Sequence, residues 1–167
     1  ITRVLSFGGA YSNHIHALAW AGRELGIQTV GVIRGEPAYV DNPTLMDAVQ
    51  WGMELVFVSR AEYRRRSELD YLAELQNVYG DVLIIPEGGS NALAVKGAAE
   101  IITDRMRLDY GLTHVVLPCG TGGTLAGIAS SQPRLQVVGI PVLKGAQFLV
   151  KGIQKLMQDA DIRCDDN

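Results

Sequence analysis

The sequence predicts an α/β fold in which doubly wound parallel sheets are covered by helices. Short runs rich in Val and Ile alternate along the whole chain with longer stretches of helical spacing. Most of the short runs are continuously apolar, which is typical of strands covered on both faces. Alternation of strands and helices builds parallel sheets with right-handed crossovers. Of the 167 residues, 47% are hydrophobic, which is enough to bury an ordinary core.

Six apolar runs are predicted as strands: Val4–Phe7, Thr29–Ile33, Leu55–Val58, Val82–Ile85, His114–Leu117 and Val137–Val142. Six stretches between and after them are predicted as helices: Asn13–Leu25, Pro43–Trp51, Glu62–Tyr79, Asn91–Leu108, Gly122–Ser130 and Gln147–Met157. Gly26 and Gly80 each follow one of these stretches directly and are plausible helix ends. Pro43 is compatible with a first helical turn.

Composition excludes several classes of protein. The hydrophobic content and the 19 glycines exclude a disordered chain, a collagen and a coiled coil. A formal net charge of −3 gives no reason to expect nucleic acid or a membrane as a partner, and Arg64–Arg66 are interpreted as a solvated helix face offset by acidic neighbours. Cys119 and Cys164 are too few for a disulfide framework. With no apolar run of membrane-spanning length and no signal segment, a cytoplasmic location is expected.

The segment Leu117–Gly127, LPCGTGGTLAG, is the most informative about chemistry. It follows an apolar strand and begins a helix, where glycines permit a tight turn and the first helical N–H groups lack internal partners. Thr121 and Thr124 can add hydroxyl donors. The predicted ligand of this loop is therefore a phosphate group.

The kind of phosphate is narrowed by what the loop lacks. A Walker loop needs a Lys followed by Ser or Thr, which is absent, and a dinucleotide fingerprint starting at Gly120 would need Gly in place of Leu125. No Lys or Arg lies between Arg107 and Arg134. A monophosphate held by neutral donors and the helix dipole is expected, and pyridoxal phosphate meets that description. The alternative is a glycine-rich turn that only packs a helix on a strand.

A second strand-to-helix turn, Gly8–His14 with the sequence GGAYSNH, is predicted to lie at the carboxyl edge of a sheet, where open α/β folds bind ligands. The shorter segment Gly88–Asn91, GGSN, repeats its pattern and is interpreted as the same solution to a tight turn rather than as a duplication. Ser12 and Asn13 either face a ligand or only cap the following helix.

Three other kinds of site are less well supported. Ser12 is not in a hydrolase elbow, because Ala10 and His14 stand where that motif requires Gly. His14 and His16 are two residues apart, so they point to different sides of a helix and do not share a metal ion. Cys119 is either a reactive thiol or, as we favour, a small residue packed at the end of a strand.

Together the glycine-rich segments resemble the pyridoxal-phosphate enzymes of the tryptophan-synthase-β fold type. Within that group they are most similar to the 1-aminocyclopropane-1-carboxylate deaminase and D-cysteine desulfhydrase family. The matching segments run in order along the chain: Gly8–His14, Pro86–Leu93, Cys119–Thr124 and Val142–Ala146. The resemblance implies two open three-layer α/β domains, both incomplete here. Residues 1–79 would form most of a smaller, cofactor-facing domain, and residues 80–167 part of a larger one with the phosphate loop.

The resemblance also implies roles for individual residues. The cofactor phosphate would be bound by Gly120, Thr121, Gly122, Gly123 and Thr124. Asn13 would hydrogen-bond the phenolic oxygen of the pyridoxal ring, and Ser12 would lie beside the substrate as a proton-transfer group or nucleophile. Enzymes of this family use the ring as an electron sink and release ammonia and a 2-oxo acid from a small amino acid. A homodimer is implied as well.

The Schiff-base Lys of the family precedes the Ser-Asn segment, and this sequence begins at Ile1 without supplying it. The partner of the pyridine nitrogen is expected after Asn167. A surface role is predicted for each of the four lysines present: Lys96, Lys144, Lys151 and Lys155. We therefore expect a fragment without turnover of its own. The second function considered is a non-catalytic α/β module that binds a phosphorylated small molecule through the same loop.

Overall fold

The computed structural model describes residues 1–37, 41–142 and 144–161. The chain forms two compact units, Ile1–Gly89 and Ser90–Asn167. Parallel strands and helices make up both units, which confirms the predicted α/β class. Two residues singled out in the sequence, Leu143 and Cys164, lie outside the described residues. Within the described ranges, no helix combines the length and apolarity needed to cross a membrane.

The first unit contains a four-stranded parallel sheet in the order β3-β2-β1-β4. Its strands are β1 (Arg3–Gly9), β2 (Gln28–Arg34), β3 (Glu54–Val58) and β4 (Leu83–Ile84). Its helices are α1 (Asn13–Leu25), α2 (Pro43–Gln50), α3 (Arg60–Arg64) and α4 (Leu69–Tyr79), followed by a short 3-10 turn at Glu87–Gly89.

Helices cover this sheet on both faces, as its continuously apolar strands predict. Leu5 pairs with Val30, so their side chains share one face, where they pack with side chains of α3 and α4: Tyr63, Tyr71 and Leu75. Ile33 lies on the opposite face and packs with side chains of α1 and α2: Ile15, Ala19, Leu45 and Ala48. The first unit is therefore a three-layer structure.

The second unit contains two parallel strands, β5 (His114–Cys119) and β6 (Gln136–Pro141). Its helices are α5 (Ala92–Ala98), α6 (Asp104–Asp109), α7 (Gly123–Ser131) and α8 (Phe148–Asp159). Helix α7 packs on the strands, and α5 and α8 pack on α7 around Val95 and Ala126. Val116, Val138 and Ile140 are exposed on alternate strand positions. The described part of this unit thus covers one face of its sheet.

Several boundaries differ from the sequence predictions. The predicted helix Glu62–Tyr79 is divided into α3 and α4, and Asn91–Leu108 is divided into α5 and α6, where Thr103 starts a new helix by accepting a hydrogen bond from the Met106 N–H. The chain divides after Gly89, ten residues later than the predicted boundary at Gly80, because Leu83–Ile84 pair with β1. The functional roles assigned to residues 1–79 and 80–167 stay predictions.

Candidate cofactor site

The loop between β5 and α7 turns tightly at Gly122, a position that does not accommodate a side chain. Gly122 has a φ of 89°, in the left-handed region, and a Cβ there would run into the Ile153 side chain of α8. A Cβ at Gly123 would lie 3.2 Å from the Ser90 hydroxyl. At Gly120, by contrast, a Cβ would meet nothing within 4 Å. Gly122 is therefore a structural requirement of this turn, whereas an alanine at 123 would need the Ser90 hydroxyl to shift by a few tenths of an ångström.

Helix α7 begins without a side-chain cap. Among the described residues, the N–H groups of Gly123, Thr124 and Leu125 have no hydrogen-bond acceptor. Such first-turn donors form the positive end of the helix dipole and favour an anion. Because the neighbouring sequence holds no Lys or Arg, the donors are neutral. This cradle fits a phosphate monoester such as that of pyridoxal phosphate.

Ser90 supports this loop from within the same unit. Its hydroxyl donates a hydrogen bond to Thr121 Oγ1, and the next residue, Asn91, caps α5 by accepting from the Ala94 N–H at 2.9 Å. The sequence alone does not predict the contact between Ser90 and Thr121. The available signal is the GGSN segment, which is interpreted from the sequence as a turn and counted among the segments that match the family, without a role for Ser90.

In the first unit, Ser12 is the cap of α1. It has extended backbone angles, and its Oγ accepts a hydrogen bond from the Ile15 N–H at 3.3 Å. The Ser12 N–H in turn donates to the Gly9 carbonyl at 3.1 Å and closes the turn. Since the hydroxyl acts as an acceptor in the cap, its own proton remains available for donation.

Asn13 has no capping role. It is the first residue of α1, its side chain is exposed, and the amide has no hydrogen-bond partner among the described residues. Of these two neighbours, Ser12 therefore caps the helix, and Asn13 presents an amide without a described partner.

The His14 side chain of α1 is hydrogen-bonded to Ser6 of β1. Its Nε2 lies 2.7 Å from the Ser6 Oγ, which is also 2.8 Å from the Ile85 carbonyl oxygen. A hydroxyl has one proton, and when Ser6 donates it to the carbonyl, His14 Nε2 must be the donor to Ser6. Burial lowers the pKa of His14, and the carboxylate of Glu87 opposes this with a smaller effect. Burial therefore favours the neutral form of His14, whose contact with Ser6 joins the start of α1 to β1.

Glu87 fixes the turn that follows β4. Its two carboxylate oxygens accept hydrogen bonds from the Tyr63 hydroxyl and from Arg66 Nε, both at 2.7 Å. Burial, together with the hydrogen bond to Glu87, raises the pKa of Tyr63 well above its ordinary value. The adjacent Gly89 approaches His14 so closely that a Cβ would lie 3.1 Å from the imidazole.

The remaining candidates are the second histidine, the cysteine and the four lysines. His16 contacts Asp47 of α2 at 2.9 Å while His14 faces Ser6, so the two rings diverge as predicted, and no cluster of three or more metal-ligating side chains occurs in the described part of the chain. Cys119 is buried against the position of Gly139, and burial raises its thiol pKa, which supports the packing role. All four lysines are exposed.

The predicted site residues fall into two groups. Ser12 and Asn13 lie in the first unit, and Gly120, Thr121, Gly122, Gly123 and Thr124 lie in the second. Within each unit, the residues of its group follow a strand and begin a helix.

Comparison with known proteins gives a consistent assignment. The model of the family described as "Pyridoxal-phosphate dependent enzyme" matches residues 3–159. A Thermotoga maritima protein described as a candidate 1-aminocyclopropane-1-carboxylate deaminase is 32% identical, with 93% of this chain and 53% of the relative covered. The Arabidopsis thaliana bifunctional D-cysteine desulfhydrase/1-aminocyclopropane-1-carboxylate deaminase is 30% identical, with 75% of this chain and 35% of the relative covered. The chain spans about half the length of most curated relatives it matches.

A solved structure gives the same fold. The crystal structure of an ACC deaminase homologue superposes with a TM-score of 0.77 at 21% identity and covers 99% of this chain and 54% of its own. At that identity the likeness establishes the fold alone. The family match extends over nearly the whole chain, and the chain therefore belongs to the family of pyridoxal-phosphate dependent enzymes, whose cofactor is pyridoxal 5'-phosphate.

Proposed function

We propose that this chain forms part of the active site of a deaminase or lyase that converts a small amino acid into a 2-oxo acid and ammonia. The substrate is 1-aminocyclopropane-1-carboxylate or D-cysteine, the compounds in the names of the relatives. The uncapped start of α7, inside a loop of neutral donors, carries the proposal, because it suits the phosphate of the family's cofactor.

In this proposal, the turn between β5 and α7 binds the phosphate. Free N–H groups of Gly123 and Thr124 point along the helix axis toward the anion, and the hydroxyl groups of Thr121 and Thr124 add donors. Because Gly120 and Gly122 have no side chain, the backbone beside them is accessible to the phosphate. Ser90 holds the Thr121 hydroxyl in position.

Bound pyridoxal phosphate supplies an electron sink that weakens bonds at the α-carbon of the substrate. The free amide of Asn13 donates to the phenolic oxygen of the ring and orients it. Ser12 is held in one conformation by its cap to the Ile15 N–H, and its hydroxyl proton can move to or from the substrate.

The domain roles follow from the same proposal. The unit Ile1–Gly89, which contains the predicted residues 1–79, forms most of a smaller, cofactor-facing domain. Ser90–Asn167, within the predicted residues 80–167, forms part of a larger domain with the phosphate loop. We also propose that the protein works as a cytoplasmic homodimer with a small amino-acid substrate and without nucleic acid or membrane partners.

The proposal is tested with the purified natural protein supplied with pyridoxal phosphate. Release of ammonia and a 2-oxo acid is measured with 1-aminocyclopropane-1-carboxylate and with D-cysteine in separate assays. Retained cofactor is measured by equilibrium dialysis for wild type, Thr124→Val and a matched exposed threonine variant, Thr113→Val. We expect Thr124→Val to retain cofactor about tenfold less tightly, since one charge-assisted hydrogen bond is worth about 1.5–3 kcal/mol, and Thr113→Val to be unchanged.

Cofactor binding without product from either amino acid would refute the substrate assignment and leave the cofactor assignment standing. Phosphate binding without cofactor retention would favour the second candidate, a non-catalytic module for a phosphorylated small molecule. All four lysines are exposed, and this observation favours the second candidate for the 167-residue chain by itself. We expect this chain to have no turnover of its own.

A further inference from the structure

The first unit contains a cleft whose walls are almost entirely arginine. A space of about 470 Å³ is lined by Tyr63 and four arginines: Arg34, Arg60, Arg64 and Arg66. We call it the arginine cleft. Arg34 ends β2, and Arg60 follows the end of β3 by two residues. The cleft therefore lies at the carboxyl ends of two paired parallel strands, the edge at which open α/β sheets bind ligands.

The acidic residues of α3, α4 and their connection do not neutralise this cleft. Arg65, whose side chain is not part of the lining, takes three carboxylates at 3.1 Å each: Glu68, Asp70 and Glu74. Glu62 accepts the hydroxyl of Tyr71 instead. The acidic neighbours expected to offset the positive charge of Arg64–Arg66 thus pair mainly with Arg65.

Three of the four arginines are left without a carboxylate. Arg66 is paired with Glu87, whereas Arg34, Arg60 and Arg64 form no ion pair with any described residue. Arg34 and Arg60 also line the neighbouring cleft beside Gly9, together with Glu36 and Asp41. Neither of these carboxylates forms an ion pair with a described arginine. Like charges gathered in this way repel one another, and an anion placed among them removes that repulsion.

Tyr63 organises two of the guanidinium groups. The Arg34 and Arg66 guanidinium carbons lie 5.5 and 4.9 Å from the centre of its ring. The tyrosine itself is only 2% exposed, and its hydroxyl is committed to Glu87. Stacking on a fixed ring restricts these two arginines before any ligand arrives, which lowers the entropy cost of binding.

We propose that the arginine cleft binds a small doubly charged oxyanion, either inorganic phosphate or a phosphate monoester. Planar guanidinium groups match phosphate oxygens in bidentate geometry, and several can serve one dianion. The residues of this cleft belong to the first unit, whereas the loop proposed for the cofactor phosphate belongs to the second. The two phosphate sites therefore share no residue.

The test uses the natural protein saturated with pyridoxal phosphate, so that the cofactor loop is filled. Isothermal titration calorimetry is carried out with inorganic phosphate and, separately, with glycerol 3-phosphate. We expect saturable binding that is weakened at least about tenfold by the double variant Arg60→Gln/Arg64→Gln, because each lost charged hydrogen bond is worth about one factor of ten or more. Arg105→Gln, which removes an exposed arginine of the second unit, is the matched control and should leave the affinity unchanged.

The two ligands distinguish the sources of the anion: tighter binding of glycerol 3-phosphate indicates a monoester, and equal or tighter binding of phosphate indicates the free ion. Absence of saturable binding, or equal weakening by Arg105→Gln, would overturn the proposal. Tighter binding of a short single-stranded oligonucleotide than of either small anion would also overturn it. Thermal unfolding checks that each variant is folded, and the single variant Arg64→Gln gives the decisive comparison if the double variant is not.

Discussion

The turns that begin α1 and α7 use similar glycine-rich sequences but differ in whether a side chain caps the third helical N–H group. In the first unit, Ser12 caps α1 and accepts from the Ile15 N–H. In the second, Gly122 stands at the same place and offers no side chain, so the N–H groups of α7 remain free. A capped turn presents side chains to a ligand, and an uncapped turn presents backbone. The residue before the helix thus decides whether the third helical N–H group is available to an anion.

The largest effect is expected from a side chain in the uncapped turn. Gly122→Ala should destabilise the protein by about 1–3 kcal/mol through its left-handed backbone alone, with a further loss from contact with Ile153. Retention of pyridoxal phosphate should fall at least tenfold. Gly97→Ala in α5 is the matched control, because its Cβ meets nothing within 4 Å and the residue lies outside the phosphate loop. Chemical denaturation and equilibrium dialysis measure both quantities, and equal behaviour of the two variants would contradict the cradle described above.

A smaller effect on stability, combined with a specific loss of activity, is expected from removing the cap. Ser12→Ala should lower the free energy of unfolding by about 1 kcal/mol and turnover by about 10²-fold if the hydroxyl transfers a proton. Ser59→Ala removes a similar cap, with a 3.1 Å bond to the Glu62 N–H, and should lower stability without the loss of turnover. If both variants lose turnover in proportion to stability, Ser12 is only a cap.

The smallest effect is a pH dependence of stability at the capped turn, where His14 lies two residues after Ser12. Burial lowers the pKa of His14 in the folded protein, so the unfolded protein binds this proton more readily. Below about pH 6.5, where the unfolded histidine is protonated, the free energy of unfolding should fall as pH decreases, by up to about 1.4 kcal/mol per pH unit until the folded pKa is reached. Urea unfolding over this range should show a shallower slope for His14→Gln. An unchanged slope would assign the effect to other groups.

Much of the fold could be predicted from the sequence because its signals are local. The apolar runs of β1 and β2 predict strands buried on both faces, and both are buried at every central position. The divided helices were missed because Glu68 and Thr103 lie within stretches whose spacing is helical on either side. A residue that starts a new helix looks, in such a stretch, like one more polar position on the solvent face.

The sequence by itself determined where both glycine-rich turns lie and which strands and helices alternate to build parallel sheets. It also showed that no Lys or Arg lies between Arg107 and Arg134, on either side of the phosphate loop. These depend on residues within a few positions of one another. Only the tertiary structure decided that Ser12 caps α1 while the Asn13 amide has no described partner. It also decided that Glu87 accepts hydrogen bonds from Tyr63 and Arg66, and that the other three arginines of the arginine cleft form no ion pair with a described residue. The Tyr63–Glu87 contact joins residues 24 positions apart. Such contacts depend on strand order, which brings distant segments to one edge of a sheet.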